Sequence, residues 1–305
     1  MPVAPPPRPL PDAGVGPAVV TTGGAVEVAE GVLRLTAANP SQMTGPGTNT
    51  YLVGSARLAV IDPGPDLAEH LDAIERVASE RGAAIGWILV THHHPDHAPG
   101  AAVLAERTGA PLVAYGHKKG VDPDVAARDG FEVGGPGFVL RALHTPGHAS
   151  DHLCWLLDGE RLLFSGDHVM QGSTVVIKPP DANMADYLAT LGRLADLDPP
   201  VRAIAPGHGR LIGDPQAAIA DVVAHRLKRE AQVAAVLAGH GGPAGLDDLL
   251  PLVYGDVAES LLPVARGSLW AHLQKLAADG RARLVGEESD PLASSESSRW
   301  APLPS

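Results

Sequence analysis

The chain has 305 residues, 45% of them hydrophobic, and a formal net charge of −12 at pH 7. This length and composition predict one large domain, or one domain with a small companion, around a full apolar core. The acidic balance disfavours a broad non-specific grip on nucleic acid, which needs clustered Lys and Arg, but leaves a local basic groove open. The single cysteine, Cys154, excludes an internal disulfide and agrees with a reducing compartment.

The first stretch of the chain, residues 1–24, is rich in proline and glycine, which predicts an irregular or disordered leader. It has no apolar core of the kind that signal peptides carry, and no apolar run is long enough to span a bilayer. We therefore expect a cytoplasmic protein without a membrane partner.

The next part of the chain carries strand and helix patterns in turn. Apolar and polar residues between turn formers predict strands at 25–28, 32–36, 50–53 and 58–61. Helical spacing of Leu67, Leu71 and Ile74 predicts a helix whose N-cap is Asp66. The apolar run 86–90 then predicts a buried strand.

Directly after that strand comes the stretch Thr91-His92-His93-His94-Pro95-Asp96-His97. Pro95 blocks continuation of the strand and predicts a loop, from which a helix opens over 97–107. The imidazoles therefore stand at the carboxyl end of a strand, where α/β folds usually place their chemistry. A cluster of this kind indicates a metal site.

The alternation of an extended backbone divides these side chains. His92 and His94 share one face, so they can offer two nitrogens to one metal ion. Asp96 and His97 lie on the turn just beyond and can hold a second ion. His93 points the other way, which predicts a packing or surface role.

Three later predicted strands also end in histidine or aspartate. The strands 139–143, 162–164 and 201–205 lead into the polar stretches 144–152, 165–168 and 206–209. Asp167 is suited to bridging two ions, because one carboxylate can ligate both. His152 and His168 are predicted to support the ligands from behind. The recurrence of such residues at strand ends favours one shared metal site.

Two further elements and a set of polar residues complete the catalytic part. The patterns predict a strand over 172–177 and an amphipathic helix over 184–197. Candidates for contact with the substrate are the polar residues Asn49, Thr50, Lys178 and Tyr187.

The C-terminal part begins with a long predicted helix over 215–238. Its basic face at Arg226, Lys228 and Arg229 is predicted to be solvated, with an RNA contact as the alternative. Three short predicted helices, over 246–254, 257–264 and 268–278, and a strand over 281–285 follow, which suits a small winged-helix unit. Its acids and bases roughly balance, which disfavours strong DNA binding. The predicted domains are a leader 1–24, a catalytic domain 25–238, a winged-helix-like domain 239–286 and a disordered tail 287–305. A homodimer is left open.

Taken together, the motifs resemble those of the metallo-β-lactamase fold, in the same order. The stretch 92–97 matches the signature His-x-His-x-Asp-His, and later motifs follow at Thr145-Pro-Gly-His148, Gly166-Asp167 and Gly207-His208-Gly209. The resemblance implies an α/β fold, an αβ/βα sandwich, with Asp62 behind the ligands. It also implies one metal ion at His92, His94 and His148, and another at Asp96, His97 and His208, with Asp167 shared.

Two more stretches narrow the resemblance. Gly47-Thr-Asn-Thr-Tyr-Leu52 and the C-terminal helices are similar to the beta-lactamase-like-protein-2 family, which includes single-strand-specific endoribonucleases. Related fungal polyketide thioesterases share this layout. Zinc β-lactamases of the commonest class carry a cysteine in place of Asp167 and lack the histidine at His97, so antibiotic hydrolysis is not the expected main activity.

The resemblance implies a hydrolase with two zinc ions, in which a metal-bound hydroxide attacks and Asp96 and Asp167 are catalytic. The expected substrate is the phosphodiester of single-stranded RNA. The alternatives are hydrolysis of acyl esters or thioesters at the same metal site, and a non-catalytic binding module. Manganese and iron are alternatives to zinc, because His and Asp ligands accept them.

Overall fold

The computed structural model describes residues 22–286 and 290–303. The predictions for residues 1–21, 287–289 and 304–305 lie outside this part of the chain.

The chain divides into two compact units. The first contains the described residues up to Thr145 with Asp151–Ser173 and Leu194–Ala218. The second contains Pro146–Ser150, Thr174–Arg193 and the described residues from Ile219 onward. Within the described ranges, no helix is both long and apolar enough to cross a membrane.

The first unit contains a seven-stranded sheet in sequence order. Its strands are β1 (Val26–Ala29), β2 (Val32–Thr36), β3 (Asn49–Gly54), β4 (Arg57–Ile61), β5 (Ala84–Leu89), β6 (Leu112–Ala114) and β7 (Val125–Ala126). Neighbours up to β4 are antiparallel, and those from β4 onward are parallel. The first two parallel steps use helical crossovers, α1 (Ala68–Glu80) and α2 (Pro99–Thr108), whereas β6 and β7 are joined by a stretch without a helix.

A second sheet of five strands packs on the first. Its strands are β8 (Glu132–Gly135), β9 (Phe138–His144), β10 (Leu153–Leu157), β11 (Leu162–Gly166) and β12 (Ala203–Pro206), in the order β12-β11-β10-β9-β8. One apolar core joins the two sheets, with Ile61 and Leu89 on one side and Trp155 and Phe164 on the other. A separate core joins the outer face of the first sheet to α1 and α2.

Two predictions made from local pattern need correction. The N-cap of α1 is Leu67, and it makes no side-chain capping bond, so Asp66 is not the cap. The β-branched run 172–177 forms no strand. Two of its carbonyls accept hydrogen bonds from side chains and not from a neighbouring strand. Val175 O accepts from Arg226, and Val176 O accepts from His148.

The second unit holds the C-terminal helices and a small sheet. Its elements are most of α3 (Met184–Ala195) and α4 (Pro215–Gly239), then α5 (Leu246–Val253), α6 (Leu262–Ala278), β13 (Ala282–Val285) and β14 (Arg299–Pro302). The predicted helix over 257–264 is instead a 3-10 turn, Glu259–Leu261, followed directly by α6. Val233 of α4, Leu249 of α5 and Leu269 of α6 share one apolar core.

The end of the chain differs from its prediction. Residues 290–303, which were predicted to be disordered, contain β14, and β14 pairs antiparallel with β13. Trp300 on β14 is fully buried in the core of the second unit. The segment is rich in Ser, Pro and Glu, and this composition predicts disorder. It nevertheless contains one short strand, because its single large apolar side chain packs into the core.

The basic face of α4 was predicted to be solvated, which holds for Lys228 but is wrong for the two arginines. Arg226 is 3% exposed and Arg229 is 9% exposed. Both guanidinium groups stack over tyrosine rings, Arg226 over Tyr187 and Arg229 over Tyr254. A guanidinium can be buried in this way because the aromatic face and a hydrogen-bond acceptor replace part of its hydration.

Candidate metal centre

The histidine stretch begins where β5 ends, and two neighbouring segments hold its first residue. The backbone N–H of Thr91 donates to Asp62 Oδ1 at 2.7 Å, and its carbonyl accepts from the N–H of Leu153 at 2.7 Å. Since Asp62 follows β4 and Leu153 begins β10, the stretch is attached to both sheets. This attachment sets where the following imidazoles lie.

Asp62 is the centre of a buried hydrogen-bond network behind the histidines. Its Oδ2 accepts from the hydroxyl of Thr91 at 2.7 Å and from Nδ1 of His97 at 2.8 Å. Asp62 has a φ of 49°, a left-handed conformation that aspartate tolerates better than most residues. The structure thus places Asp62 one hydrogen bond behind a predicted ligand.

His70, which the sequence did not single out, extends this network. The hydroxyl of Thr50 donates to Asp62 O at 2.6 Å, so at 2.7 Å it must accept from Nε2–H of His70. Burial lowers the pKa of His70 to about 4, which keeps the ring neutral. Because His70 and Asp62 lie on different elements, no local sequence signal indicates their connection.

Four side chains of the first unit converge on a common point, and we call them the Asp–His cluster: Asp96, His97, Asp167 and His208. Nε2 of His97 lies 3.4 Å from Asp96 Oδ2 and 3.3 Å from Asp167 Oδ1. Nε2 of His208 lies 3.2 Å and 3.3 Å from the same two oxygens. Two nitrogens and two carboxylate oxygens in this arrangement are a donor set that zinc accepts.

Hydrogen bonds at Nδ1 determine which nitrogen each imidazole presents. His97 donates Nδ1–H to Asp62, and His208 donates it to the carbonyl of Gly47 at 3.1 Å. The hydroxyl proton of Thr91 goes to Asp62, so its oxygen accepts from Nδ1–H of His92 at 3.0 Å. All three rings can therefore present Nε2 as a lone pair, which is how metal-bound histidines are usually oriented.

The other predicted ligands are placed as follows. The rings of His92 and His94 lie 4.5 Å apart, and that of His92 lies 4.3 Å from His97. In the second unit, His148 is 7% exposed and bonds through Nδ1 to Val176 O at 2.7 Å. This bond also leaves Nε2 as the presented nitrogen. The assignment of His148 to a metal ion remains a prediction.

Charge within the Asp–His cluster is balanced by protons when no metal is bound. Burial alone would lower the pKa of His208, but Asp167 and Asp96 outweigh it and raise that pKa to about 9. Burial is likewise outweighed at His97, whose pKa lies well above its usual value. For Asp96 and Asp167 burial would raise the pKa, yet the neighbouring histidines hold both values well below normal. At neutral pH the metal-free cluster is therefore two imidazoliums facing two carboxylates.

We expect the zinc affinity of the metal-free protein to rise steeply from pH 6.5 to about 9, where His208 loses its proton. A zinc ion must displace the protons on His97 and His208, and each displaced proton changes the Kd by about tenfold per pH unit. The folded pKa of His208 is raised, so its stabilisation of the metal-free fold is complete below about pH 6.5 and is lost through about pH 9. Calorimetric titration in two buffers of different ionisation enthalpy counts the released protons.

Two variants control this measurement. His208→Asn should release fewer protons, whereas His117→Asn, at a side chain that is 80% exposed, should behave as the wild type. Zinc binding without proton release from the wild type would contradict the charge balance described above.

His93 has a more definite role than packing or surface exposure. Asp151 holds it twice: Nδ1 donates to Oδ1 at 2.8 Å, and the backbone N–H donates to Oδ2 at 3.1 Å. This double contact fixes the backbone between His92 and His94. Asp151 was missed by the sequence reasoning, although it lies in the second polar stretch.

His152 and His168 are both fully buried. The His152 ring lies 5.1 Å from that of His92 and 5.6 Å from that of His168, and its Nδ1 bonds to the hydroxyl of Thr145 at 2.9 Å. The His152 side chain leaves no room for a side chain at Gly166, because a Cβ added there would lie 2.8 Å from Nε2 of His152. His152 thus lies beside the predicted ligand His92, and His168 lies beside His152. Their supporting role stays a prediction.

Three of the predicted substrate contacts, Asn49, Thr50 and Tyr187, are buried, and their contact with a substrate stays a prediction. Asn49 donates to the carbonyls of Pro206 and Gly209 at 3.0 Å and 2.9 Å, so it shapes the His208 loop. Thr50 belongs to the network behind Asp62, and Tyr187 is 1% exposed. Lys178 is exposed and forms an ion pair with Glu296 at 3.2 Å.

Comparison with known proteins adds to this geometry. The family model described as Metallo-beta-lactamase superfamily matches residues 43–208, and that of the Beta-lactamase associated winged helix domain matches 246–290. A Caenorhabditis elegans protein named Beta-lactamase-like protein 2 homolog is 32% identical over 83% of this chain and 86% of its own. An Aspergillus chevalieri protein named atrochrysone carboxyl ACP thioesterase is 36% identical over 75% of each chain.

Solved structures show the same fold. A Beta-lactamase domain protein from Burkholderia ambifaria has a TM-score of 0.79 at 22% identity, covering 96% of this chain and 97% of its own. A metallo-beta-lactamase family protein from Thermus thermophilus has a TM-score of 0.73 at 22% identity, covering 91% of this chain and 100% of its own. At this identity the likeness concerns the fold alone.

Proposed function

Because the chain belongs to the metallo-beta-lactamase superfamily and is a hydrolase of that superfamily, we propose that it uses two zinc ions to cleave phosphodiesters of single-stranded RNA. The observation that carries the metal-dependent reaction is the Asp–His cluster, in which two Nε2 atoms and two carboxylate oxygens converge. The RNA substrate rests on the resemblance to the endoribonucleases described above.

We assign the ions by motif order. One would be held by His92, His94 and His148 and the other by Asp96, His97 and His208, and Asp167 would serve both. Bound divalent ions supply a water of lowered pKa as nucleophile and Lewis-acid stabilisation of the charge that develops on the reacting group.

The chain's own residues orient the predicted ligands and supply the negative charge that the metal ions need. Asp62 takes the Nδ1 proton of His97 and so fixes the ring with Nε2 toward the cluster. Asp96 and Asp167 carry the negative charge that offsets two divalent cations. The Asp96 side chain is 25% exposed against 13% for Asp167, so we assign proton exchange with the solvent to Asp96.

A second candidate is the hydrolysis of acyl thioesters at the same site. Two observations favour it over RNA. The matched Aspergillus chevalieri relative is named a thioesterase. The arginines of α4 that the sequence offered for an RNA contact are buried, and the chain carries a net charge of −12. A neutral or apolar acyl chain needs no such basic surface, whereas a polyanion does.

The deciding experiment compares substrates on one zinc-loaded preparation with measured metal content. The panel contains single-stranded RNA and the same sequence as a duplex. It also contains thioesters of coenzyme A, of a carrier protein and of N-acetylcysteamine. The RNA proposal expects cleavage of the single strand that is lost in Asp167→Ala. Turnover of thioesters with intact RNA would replace it by the second candidate, and turnover of neither would reject both substrates.

A further inference from the structure

Arg226 on α4 is a buried cation whose contacts lead to a predicted metal ligand. Its guanidinium donates to the carbonyl of Val175 and lies over the ring of Tyr187, with Cζ 5.6 Å from the ring centroid. Arg226 is 3% exposed. Burial of an arginine is costly unless its contacts replace the lost water, so these contacts determine where the guanidinium sits.

The first contact bears on the imidazole of His148. Val175 precedes Val176, whose carbonyl accepts the Nδ1–H of His148 at 2.7 Å. Within the described part of the chain, the segment 172–177 pairs with no strand that would hold its peptides in place. The bond from Arg226 to Val175 O therefore secures the peptide next to the acceptor that orients the His148 ring.

The second contact bears on the backbone beside the same histidine. Gly147 has a φ of 146°, and a Cβ added there would lie 2.4 Å from Cα of Tyr187. The carbonyl of Gly147 also accepts from the N–H of Asn183 at 2.8 Å, at the start of the helix that carries Tyr187. The backbone of Tyr187 thus lies against Gly147, and Arg226 holds the ring of the same tyrosine from the other end of its side chain.

We propose that Arg226 is a positioning residue for His148, acting on the ring through Val175 and on the backbone through Tyr187. This inference rests on the proposed function, in which His148 is a metal ligand. It assigns α4 a part in metal binding, in addition to connecting the catalytic and winged-helix sequences. The bond that orients a ligand ring is commonly worth 10- to 100-fold in metal affinity, roughly the effect we expect here.

Arg229, one turn further along α4, provides a matched control. It is also buried, lies 4.5 Å from the centroid of the Tyr254 ring, and donates to a backbone carbonyl, that of Val253. It also pairs with Asp256 at 3.1 Å. Its partners thus belong to the α5 end of the second unit and not to the segment that bonds His148.

The test uses the full-length chain and the variants Arg226→Met, Arg226→Lys, Arg229→Met and His148→Ala. Zinc stoichiometry and Kd are measured by competition with a chelator, at a temperature where each variant is folded. We expect Arg226→Met to raise the Kd of one zinc ion by about 10- to 100-fold. Arg226→Lys, which keeps a donor near Val175 O, should restore most of the affinity. Arg229→Met should lower thermal stability but leave zinc binding unchanged.

Each outcome bears on a different statement. Unchanged zinc binding in Arg226→Met, or an equal loss in Arg229→Met, would overturn the positioning role. Full zinc binding in His148→Ala would instead refute the ligand assignment in the proposed function. If Arg226→Met does not fold, Tyr187→Leu serves instead, because it removes the ring beneath the Arg226 guanidinium and keeps the backbone beside Gly147. It must raise the Kd of one zinc ion, otherwise the inference fails.

Discussion

Asp167→Ala is expected to reduce hydrolysis by more than about 100-fold, since loss of even an outer partner of a metal ligand costs about 10- to 100-fold. Asp167 Oδ1 lies 3.3 Å from Nε2 of both His97 and His208, so the variant removes the carboxylate that faces both imidazoles. The bound zinc should fall below two ions per chain at the same time. Elemental analysis of the dialysed protein and turnover of the best substrate in the panel measure both effects.

An exposed carboxylate serves as the control. Asp186 lies on the solvent side of α3, and Asp186→Ala should retain the zinc content and rate of the wild type. A fully active Asp167→Ala that still binds two ions would contradict the assignment of Asp167 as a shared ligand.

Trp300→Ala is expected to lower the free energy of unfolding by about 3–5 kcal/mol, the usual cost of removing a large buried aromatic side chain. Trp300 is fully buried, pairs with Leu284 across β13 and β14, and exchanges two backbone hydrogen bonds of 2.8 Å with Ala244. The loss should concentrate in the second unit. Urea unfolding gives the size of the effect, and amide hydrogen exchange shows where it lies.

The nearby Leu292, which is 56% exposed, is the matched control. Leu292→Ala should change stability little, because an exposed leucine loses little apolar contact when it is truncated. Equal stability of Trp300→Ala and the wild type would mean that residues 290–303 do not contribute to the core.

The predicted fold class is confirmed by the family match and by the two-sheet architecture. The reason is that strand ends are visible in the sequence: apolar runs stop at Pro or Gly, and the polar residues that follow must share one edge of the sheet. The winged-helix-like domain is confirmed by its own family match. The tail was predicted wrongly because one tryptophan among serines and prolines carries no periodic signal.

The residues that the sequence reasoning missed are all defined by distant partners. Asp151 and His93 are 58 residues apart, His70 and Thr50 are 20 apart, and Arg226 and Val175 are 51 apart. Arg226 was predicted to be solvated because a run of charges on a helix usually faces water. Its burial follows from a tyrosine and a carbonyl that only folding brings to it.

The sequence by itself determined the kinds of ligand, their order, and the separation of His92 and His94 from His93, because alternation along an extended backbone is a local property. The tertiary structure alone decided which nitrogen of each ring is presented, since Asp62, Gly47 and the Thr91 hydroxyl take the Nδ1 protons. It also decided that Asn49, Thr50 and Tyr187, which the sequence offers as polar loop and helix residues, are buried. Burial and hydrogen-bond partners depend on segments far apart in the chain, and for that reason they could not be predicted from local pattern.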